Sequence, residues 1–319
     1  MPSPQVLQSE LAACHRASRD GRVFVRELEP APYVAVGRDF HGRAAIMLDP
    51  LPGAVAFRTP SVEFLPTAHL DFDQASVGQT DCTLVLYDET GLGGVLRELI
   101  PVLIWGLYDS RAQGGMPAAS AYAQVLAMML RSEADRASPE TVQGLWAELL
   151  LIAYSSDPEL LIDAWHEDPD EIYDFARGNE RLEVKSARGA HRRHHFSSSQ
   201  LPTRAGLDLT VASVLVQRVA GGATLWDLLQ RLGSRVPLAA QAAAMQKTLA
   251  VVPISALAER SYDAVSASAS AAFFAGVDVP TMRLPRDVLA ASWTADLANA
   301  RVVRNPSGGL ASAVQQVSP

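Results

Sequence analysis

Ile172-Tyr-Asp-Phe-Ala-Arg-Gly-Asn-Glu-Arg-Leu-Glu-Val-Lys-Ser186 reads as a β-hairpin that gathers charge at one point. Two short runs of alternating apolar and polar residues flank Gly178-Asn179, a pair suited to a two-residue turn that needs positive φ. With Gly178 and Asn179 at the centre of the turn, Arg177 faces Glu180, Ala176 faces Arg181, Asp174 faces Glu183 and Ile172 faces Lys185. Side chains alternate along a strand, so Glu183 and Lys185 point to one face while Leu182 and Val184 point to the other. Like charges directly opposed on a sheet destabilise it, and the arrangement asks for a cation. Lys185 supplies part of that. A divalent metal, which prefers carboxylate and carbonyl oxygens, would supply more.

The flanks decide between a site and a charged hairpin face in water. Upstream, Ser138-Pro139-Glu140 gives an N-cap, a proline suited to the first helical position and an acid in the first turn. The helix that follows carries Val142, Leu145, Trp146, Leu149, Leu150 and Ile152 round most of its circumference, the mark of a buried helix. Glu148 sits among them. A glutamate there needs a partner or a raised pKa, and a cation held at the hairpin would be that partner; the other reading puts Glu148 on an exposed stripe. Downstream, Arg188, His191, Arg192, Arg193, His194 and His195 form a basic run whose charge suits a phosphate backbone. Ser197-Ser-Ser-Gln-Leu201 follows and can cap a new helix.

At these residues the sequence resembles the PD-(D/E)XK nuclease superfamily, the fold of many restriction and repair endonucleases. In that pattern a helix glutamate, an aspartate on one strand and a (D/E)xK on the next build the metal site. Glu148, Asp174 and Glu183-Val184-Lys185 match it in order and spacing, and Gln200 stands where some members carry an auxiliary active-site glutamine. More narrowly, Gly144-Leu-Trp-Ala-Glu-Leu-Leu150, Ala164-Trp165-His166, Asp174-Phe175, Glu183-Val-Lys185 and Ser199-Gln-Leu201 are similar to a bacterial family of PD-(D/E)XK proteins linked to restriction and phage defence. A weaker likeness runs through most of the chain, including Gly221-Gly-Ala-Thr-Leu-Trp-Asp-Leu228. Tyr173 stands where the motif has proline, a departure common in divergent members.

The resemblance implies Asp174, Glu183 and the backbone carbonyl of Val184 as ligands of Mg2+ or Mn2+. It implies that Lys185 orients or deprotonates the attacking water and that Glu148 holds a second metal or a metal-bound water. The partner it implies is nucleic acid, DNA first and RNA second, with protein partners from a restriction or defence system; the charge of the basic run makes Arg188, Arg192 and Arg193 the expected phosphate contacts. The expected activity is that of a metal-dependent phosphodiesterase, an endonuclease. The alternative is a non-catalytic nucleic-acid-binding or scaffold subunit that keeps the nuclease fold.

At 319 residues, 48% hydrophobic and 19% charged, the chain is ordinary globular material with a sizeable core. Its two cysteines, Cys14 and Cys82, make neither a disulfide framework nor a structural zinc site, which fits a reducing cytoplasm. The first residues show no secretory signal. The longest apolar run, Leu99 to Tyr108, is broken by Pro101 and Gly106 and falls short of the roughly 20 residues that span a bilayer. A formal charge of −8 argues against indiscriminate coating of nucleic acid, though a local basic surface matters more to a DNA enzyme than the total. Gly91-Leu-Gly-Gly94 lacks both the GK[ST] ending and the full GxGxxG spacing of phosphate loops.

The pattern along the chain predicts a mixed α/β (α+β) protein with a restriction-endonuclease-like core, a central mixed sheet flanked by helices, behind a β-rich front. A helix over Gln5–Arg16 precedes strands over Arg22–Leu28, Tyr33–Gly37, Ala44–Leu48, Ala54–Arg58, Val62–Leu65 and Cys82–Tyr87. Helices follow over Leu96–Leu107 and Ala118–Arg131, parted by a joint at Gln113–Pro117. The expected domains are a β-rich module over 1–112, the nuclease-like core over 113–236, a helical and strand extension over 237–304 and a disordered tail over 305–319.

Overall fold

The computed structural model describes residues 3–18, 23–30, 33–51, 54–59, 61–70, 80–90, 94–109, 112, 115, 137–165, 172–201, 206–282, 290–303 and 309–315. The chain divides into two compact units, Met1–Arg136 with Pro253–Ser255, and Ala137–Val252 with Ala256–Pro319. The helix expected over 118–131 lies outside the described residues.

In the first unit, α1 (Pro4–Ala13) is capped by Ser3, whose side chain accepts from the Val6 N–H. Six strands follow: β1 (Val23–Pro30), β2 (Tyr33–Asp39), β3 (Ala44–Leu48), β4 (Phe57–Arg58), β5 (Val62–Leu70) and β6 (Thr80–Tyr87). They form one antiparallel sheet in the order β1-β2-β3-β6-β5-β4. Ala-Ala-Ile-Met-Leu of β3 is buried along its whole length, the pattern of an uninterrupted apolar run on a strand covered on both faces. Ala35, Ala45, Met47, Cys82 and Leu84 pack one face of this sheet. Helix α2 covers 95–109 and buries Leu96, Leu99, Leu103 and Leu107 at helical spacing.

The second unit begins at α3 (Pro139–Tyr154), where Ser138 caps the helix, proline opens it and Glu140 sits in the first turn, as the sequence pattern required. Trp146, Leu149, Leu150 and Ile152 are fully enclosed, and the Trp146 indole N–H donates to the Ala223 carbonyl at 2.9 Å. After α4 (Pro158–Ala164) come β7 (Phe175–Arg177), β8 (Glu180–Arg188), β9 (Arg193–Ser197), β10 (Asp208–Val216) and β11 (Arg218–Ala223). Next come α5 (Leu225–Leu232), α6 (Leu238–Val251), α7 (Ala264–Ser270), β12 (Ala272–Ala275), β13 (Ser292–Asp296) and α8 (Gly309–Gln315).

The central sheet runs β12-β10-β8-β7. β8 lies parallel to β10, while β7 and β12 are antiparallel to their neighbours, so the sheet is mixed. The fold is mixed α+β and restriction-endonuclease-like. Residues 237–304, expected as an extension, supply β12 at the edge of this sheet and β13, which pairs with β9. The tail expected to be disordered instead holds α8, with Leu310, Ala313 and Val314 buried. The Leu310 N–H donates to the Glu180 carboxylate at 3.0 Å. The Ser197–Leu201 segment turns without starting a helix among the described residues. No described helix is long and apolar enough to cross a membrane.

Candidate active site

The hairpin register is the one its turn dictates: Phe175 pairs with Leu182, Ala176 with Arg181 and Arg177 with Glu180. Gly178 takes φ 55°, the left-handed conformation that glycine adopts without steric cost. Asp174 stands one residue before β7 begins. Its Oδ2 accepts the backbone N–H of Val184 at 2.6 Å, so the aspartate ties the hairpin together from just outside the ladder.

Three carboxyl groups from α3, the β7 approach and β8 interact here. Glu148 is 9% exposed and Glu183 2% exposed, which rules out the exposed-stripe reading of Glu148. Burial, then the Asp174 carboxylate, push Glu148 well above the usual carboxylate range, against an opposing hydrogen bond from Trp165. Burial, then Asp174, push Glu183 up to about 8, against the pull of Lys185. Desolvation and like charge act in the same direction at both groups.

Lys185 lies 2.7 Å from Glu183 Oε1. Gln200 binds both: its amide N–H donates to Glu183 Oε1 at 2.6 Å, and its Oε1 accepts from Lys185 Nζ and from the Ser197 N–H, each at 3.2 Å. The Lys185 ammonium also sits 5.4 Å from the centroid of the Phe196 ring. The other Glu183 oxygen, Oε2, is buried and has no hydrogen-bond partner among the described residues. A buried carboxylate oxygen without a partner is costly. It is what a hard cation would relieve.

The basic run divides by parity. β9 alternates exposed Arg193, buried His194, exposed His195 and buried Phe196. Arg192 has the parity of the buried set, and its guanidinium turns inward: Nη1 donates to the Ser213 carbonyl at 2.7 Å and to Ser213 Oγ at 2.8 Å, and Nη2 to the Ser270 carbonyl. It ties β9 to β10 and to the end of α7 instead of facing a nucleic acid. His194 hydrogen-bonds Ser213 Oγ at 2.7 Å, and burial pulls it down to about 4, so it adds no charge to the run. Arg188 and Arg193 are exposed. Arg188 Nε donates to Gln143 Oε1 at 2.7 Å, and Arg193 Nε to Asp296 at 3.1 Å.

The structure thus brings together Glu148, Asp174, Glu183, Val184, Lys185 and Gln200, leaves Arg188 and Arg193 at the surface, and withdraws Arg192. Sequence reasoning did not single out Trp165 as a partner of Glu148, although its indole N–H donates to Glu148 Oε2 at 2.7 Å. A buried acid needs a donor, and the tryptophan ending α4 is an indole within the same unit; that was the available signal.

Among the described residues no group of three or more His, Cys, Asp or Glu side chains is arranged to hold a metal ion. A pair of carboxylates with a backbone carbonyl is a smaller donor set, and the unpartnered Glu183 Oε2 fits a hard cation there. Neither a curated protein nor a solved structure matches the chain. The sequence profile of the family described as "Putative PD-(D/E)XK family member, (DUF4420)" matches residues 34–298, most of the 319 residues, and the chain belongs to that family.

Proposed function

We propose that the protein is a divalent-metal-dependent endonuclease that cleaves DNA phosphodiester bonds, in the setting of bacterial restriction or phage defence that the resemblance suggests. The superfamily consists mainly of nucleases. The observation that carries the reading is Glu183: a buried carboxyl beside two others, one oxygen held by Lys185 and Gln200 and the other without a partner among the described residues.

Asp174, Glu183 and the Val184 carbonyl would hold Mg2+ or Mn2+, with Glu148 toward a second ion or its water. Such an ion, when bound, lowers the pKa of water and offsets charge on the phosphate. Lys185 Nζ, beside Glu183, is placed to orient an attacking water and to steady the incoming hydroxide. Gln200 fixes the lysine and the glutamate relative to each other, so neither has to reorganise during reaction. Asp174 binds the Val184 N–H and so fixes the main chain of the residue whose own carbonyl, in the next peptide, belongs to the donor set.

The purified full chain should nick supercoiled plasmid and cut linear DNA with Mg2+ or Mn2+, and chelation should stop both. The scaffold reading has one observation in its favour, that every carboxyl of the cluster already accepts a hydrogen bond from the protein. Divalent-ion binding without cleavage of DNA or RNA would favour it.

The two exposed arginines are the proposed phosphate contacts. Arg188→Ala with Arg193→Ala should weaken binding to all DNA sequences alike and flatten its salt dependence, each lost contact removing about one unit of log–log slope. Arg192→Ala should behave differently. It leaves Ser213 and Ser270 groups without their donor and should cost roughly 1 to 3 kcal/mol of stability. Equal losses of affinity from all three, with unchanged melting, would return Arg192 to the interface.

A further inference from the structure

Glu148 is held from behind. Trp165 is 2% exposed and ends α4 as its C-cap residue. Its indole has a single polar atom, a donor, and that donor is spent on Glu148 Oε2 at 2.7 Å. The ring stacks on Phe175, with centroids 6.4 Å apart and planes 17° apart, and the two residues also form an isolated antiparallel bridge. Phe175 directly follows Asp174. One tryptophan therefore touches the neighbour of one carboxylate and the oxygen of another.

The main chain of Trp165 is pinned in turn. Lys247 on α6 donates from Nζ to the Trp165 carbonyl at 2.6 Å and to the Ile162 carbonyl at 2.9 Å, satisfying acceptors that the end of α4 leaves open. A lysine reaching from one helix to the last carbonyls of another fixes where that helix ends. The indole it carries is then fixed against α3.

We propose that Trp165 is a positioning residue that aims the Glu148 carboxylate at the bound divalent ion, and that Lys247 anchors Trp165 for this purpose. The inference rests on the reading of the cluster as a divalent-ion site. Partners that orient metal-binding carboxylates are worth about 10- to 100-fold in ion affinity or activity when removed, and a single donor on a buried oxygen is such a partner.

The test uses the full chain. Trp165→Phe keeps an aromatic ring against Phe175 and removes the donor together with part of the indole's volume. It should retain cooperative melting within a few degrees of the parent, weaken Mn2+ binding measured by calorimetry by about 10- to 100-fold, and lower kcat on plasmid DNA more than it changes KM. Indole emission supplies a readout apart from activity: Mg2+ should change the emission of the parent, and that change should be missing in Trp165→Phe and reduced in Glu148→Ala. Lys247→Met leaves the buried indole in place and should lower Mn2+ affinity in the same direction by less, so it carries the test if Trp165→Phe does not fold. A parent that binds Mn2+ while Trp165→Phe or Lys247→Met binds it equally well overturns the positioning role and leaves the nuclease reading standing. A parent that binds no divalent ion overturns both.

Discussion

Lys185→Ala will retain divalent-ion binding above pH 8 and lose cleavage by at least about 100-fold, the scale of a positioned proton-transfer group. Glu183→Gln will lose both. The two differ because, on the proposed reading, Lys185 would act on water while Glu183 would hold the ion. The pH matters: Lys185 is the group that pulls Glu183 down, so without it a proton competes harder for the carboxylate. Binding should therefore weaken near neutrality and recover as Glu183 ionises. Asp174→Asn is the third member of the set. It keeps an oxygen to accept the Val184 N–H and removes the charge, so it should fold like the parent and bind the ion poorly. Asp174→Ala leaves that N–H unpaired and should be less stable by about 1 to 3 kcal/mol. Calorimetry with Mn2+, melting without metal and plasmid cleavage separate these outcomes. Equal loss of ion binding in Lys185→Ala at every pH would contradict the division of roles.

Without divalent ions the protein should lose stability as pH rises through neutrality. Glu183 is raised in the folded state from 4.5 to about 8. Its contribution is complete below the unfolded value and is lost as pH climbs through the folded one. Glu148 is shifted in the same direction. His194 opposes them at lower pH. Lowered to about 4 from 6.5, it contributes fully above 6.5 and loses that contribution as pH falls through its folded value. The window from 6.5 to 8 therefore isolates the carboxyl groups, and a loss of roughly 1 to 2 kcal/mol is expected there for Glu183 alone. Glu183→Gln should flatten that slope and melt higher than the parent at pH 8. Added Mg2+ should stabilise the parent most at the alkaline end, where the ligands are already ionised. A metal-free protein that gains stability between pH 6.5 and 8 would contradict the assignment.

Much of the site could be read from local chemistry. Gly178-Asn179 fixed the turn, the turn fixed the register, and alternation on β8 placed Glu183 with Lys185. Ser138-Pro139-Glu140 fixed where α3 starts, and the apolar circumference of that helix made Glu148 a buried acid. The same parity rule, applied to β9 from Phe196 backward, would have turned Arg192 inward. The positively charged run drew attention to composition where alternation was the better guide.

Other features depended on residues far apart in sequence. Nothing local joins β8 to β10 in parallel or brings β12 and β13 back from beyond residue 270 to β10 and β9. Trp165 reaches Glu148, and Lys247 reaches Trp165, across separations that no periodicity marks. The Ala264–Ser270 helix is short and rich in Ala and Ser, with no apolar stripe to announce it. In the tail, α8 is fixed partly by Glu180 at its first turn, a contact that composition does not foretell.

The most direct test of the proposed divalent-ion site is a calorimetric titration of Mn2+ into the purified full chain at pH 8.5, with and without DNA, beside Glu183→Gln. The parent should bind the ion, and Glu183→Gln should lose that binding while melting at least as high without metal. No binding by the parent in either condition, together with a Glu183→Gln variant less stable than the parent, would show the carboxyl cluster to be structural.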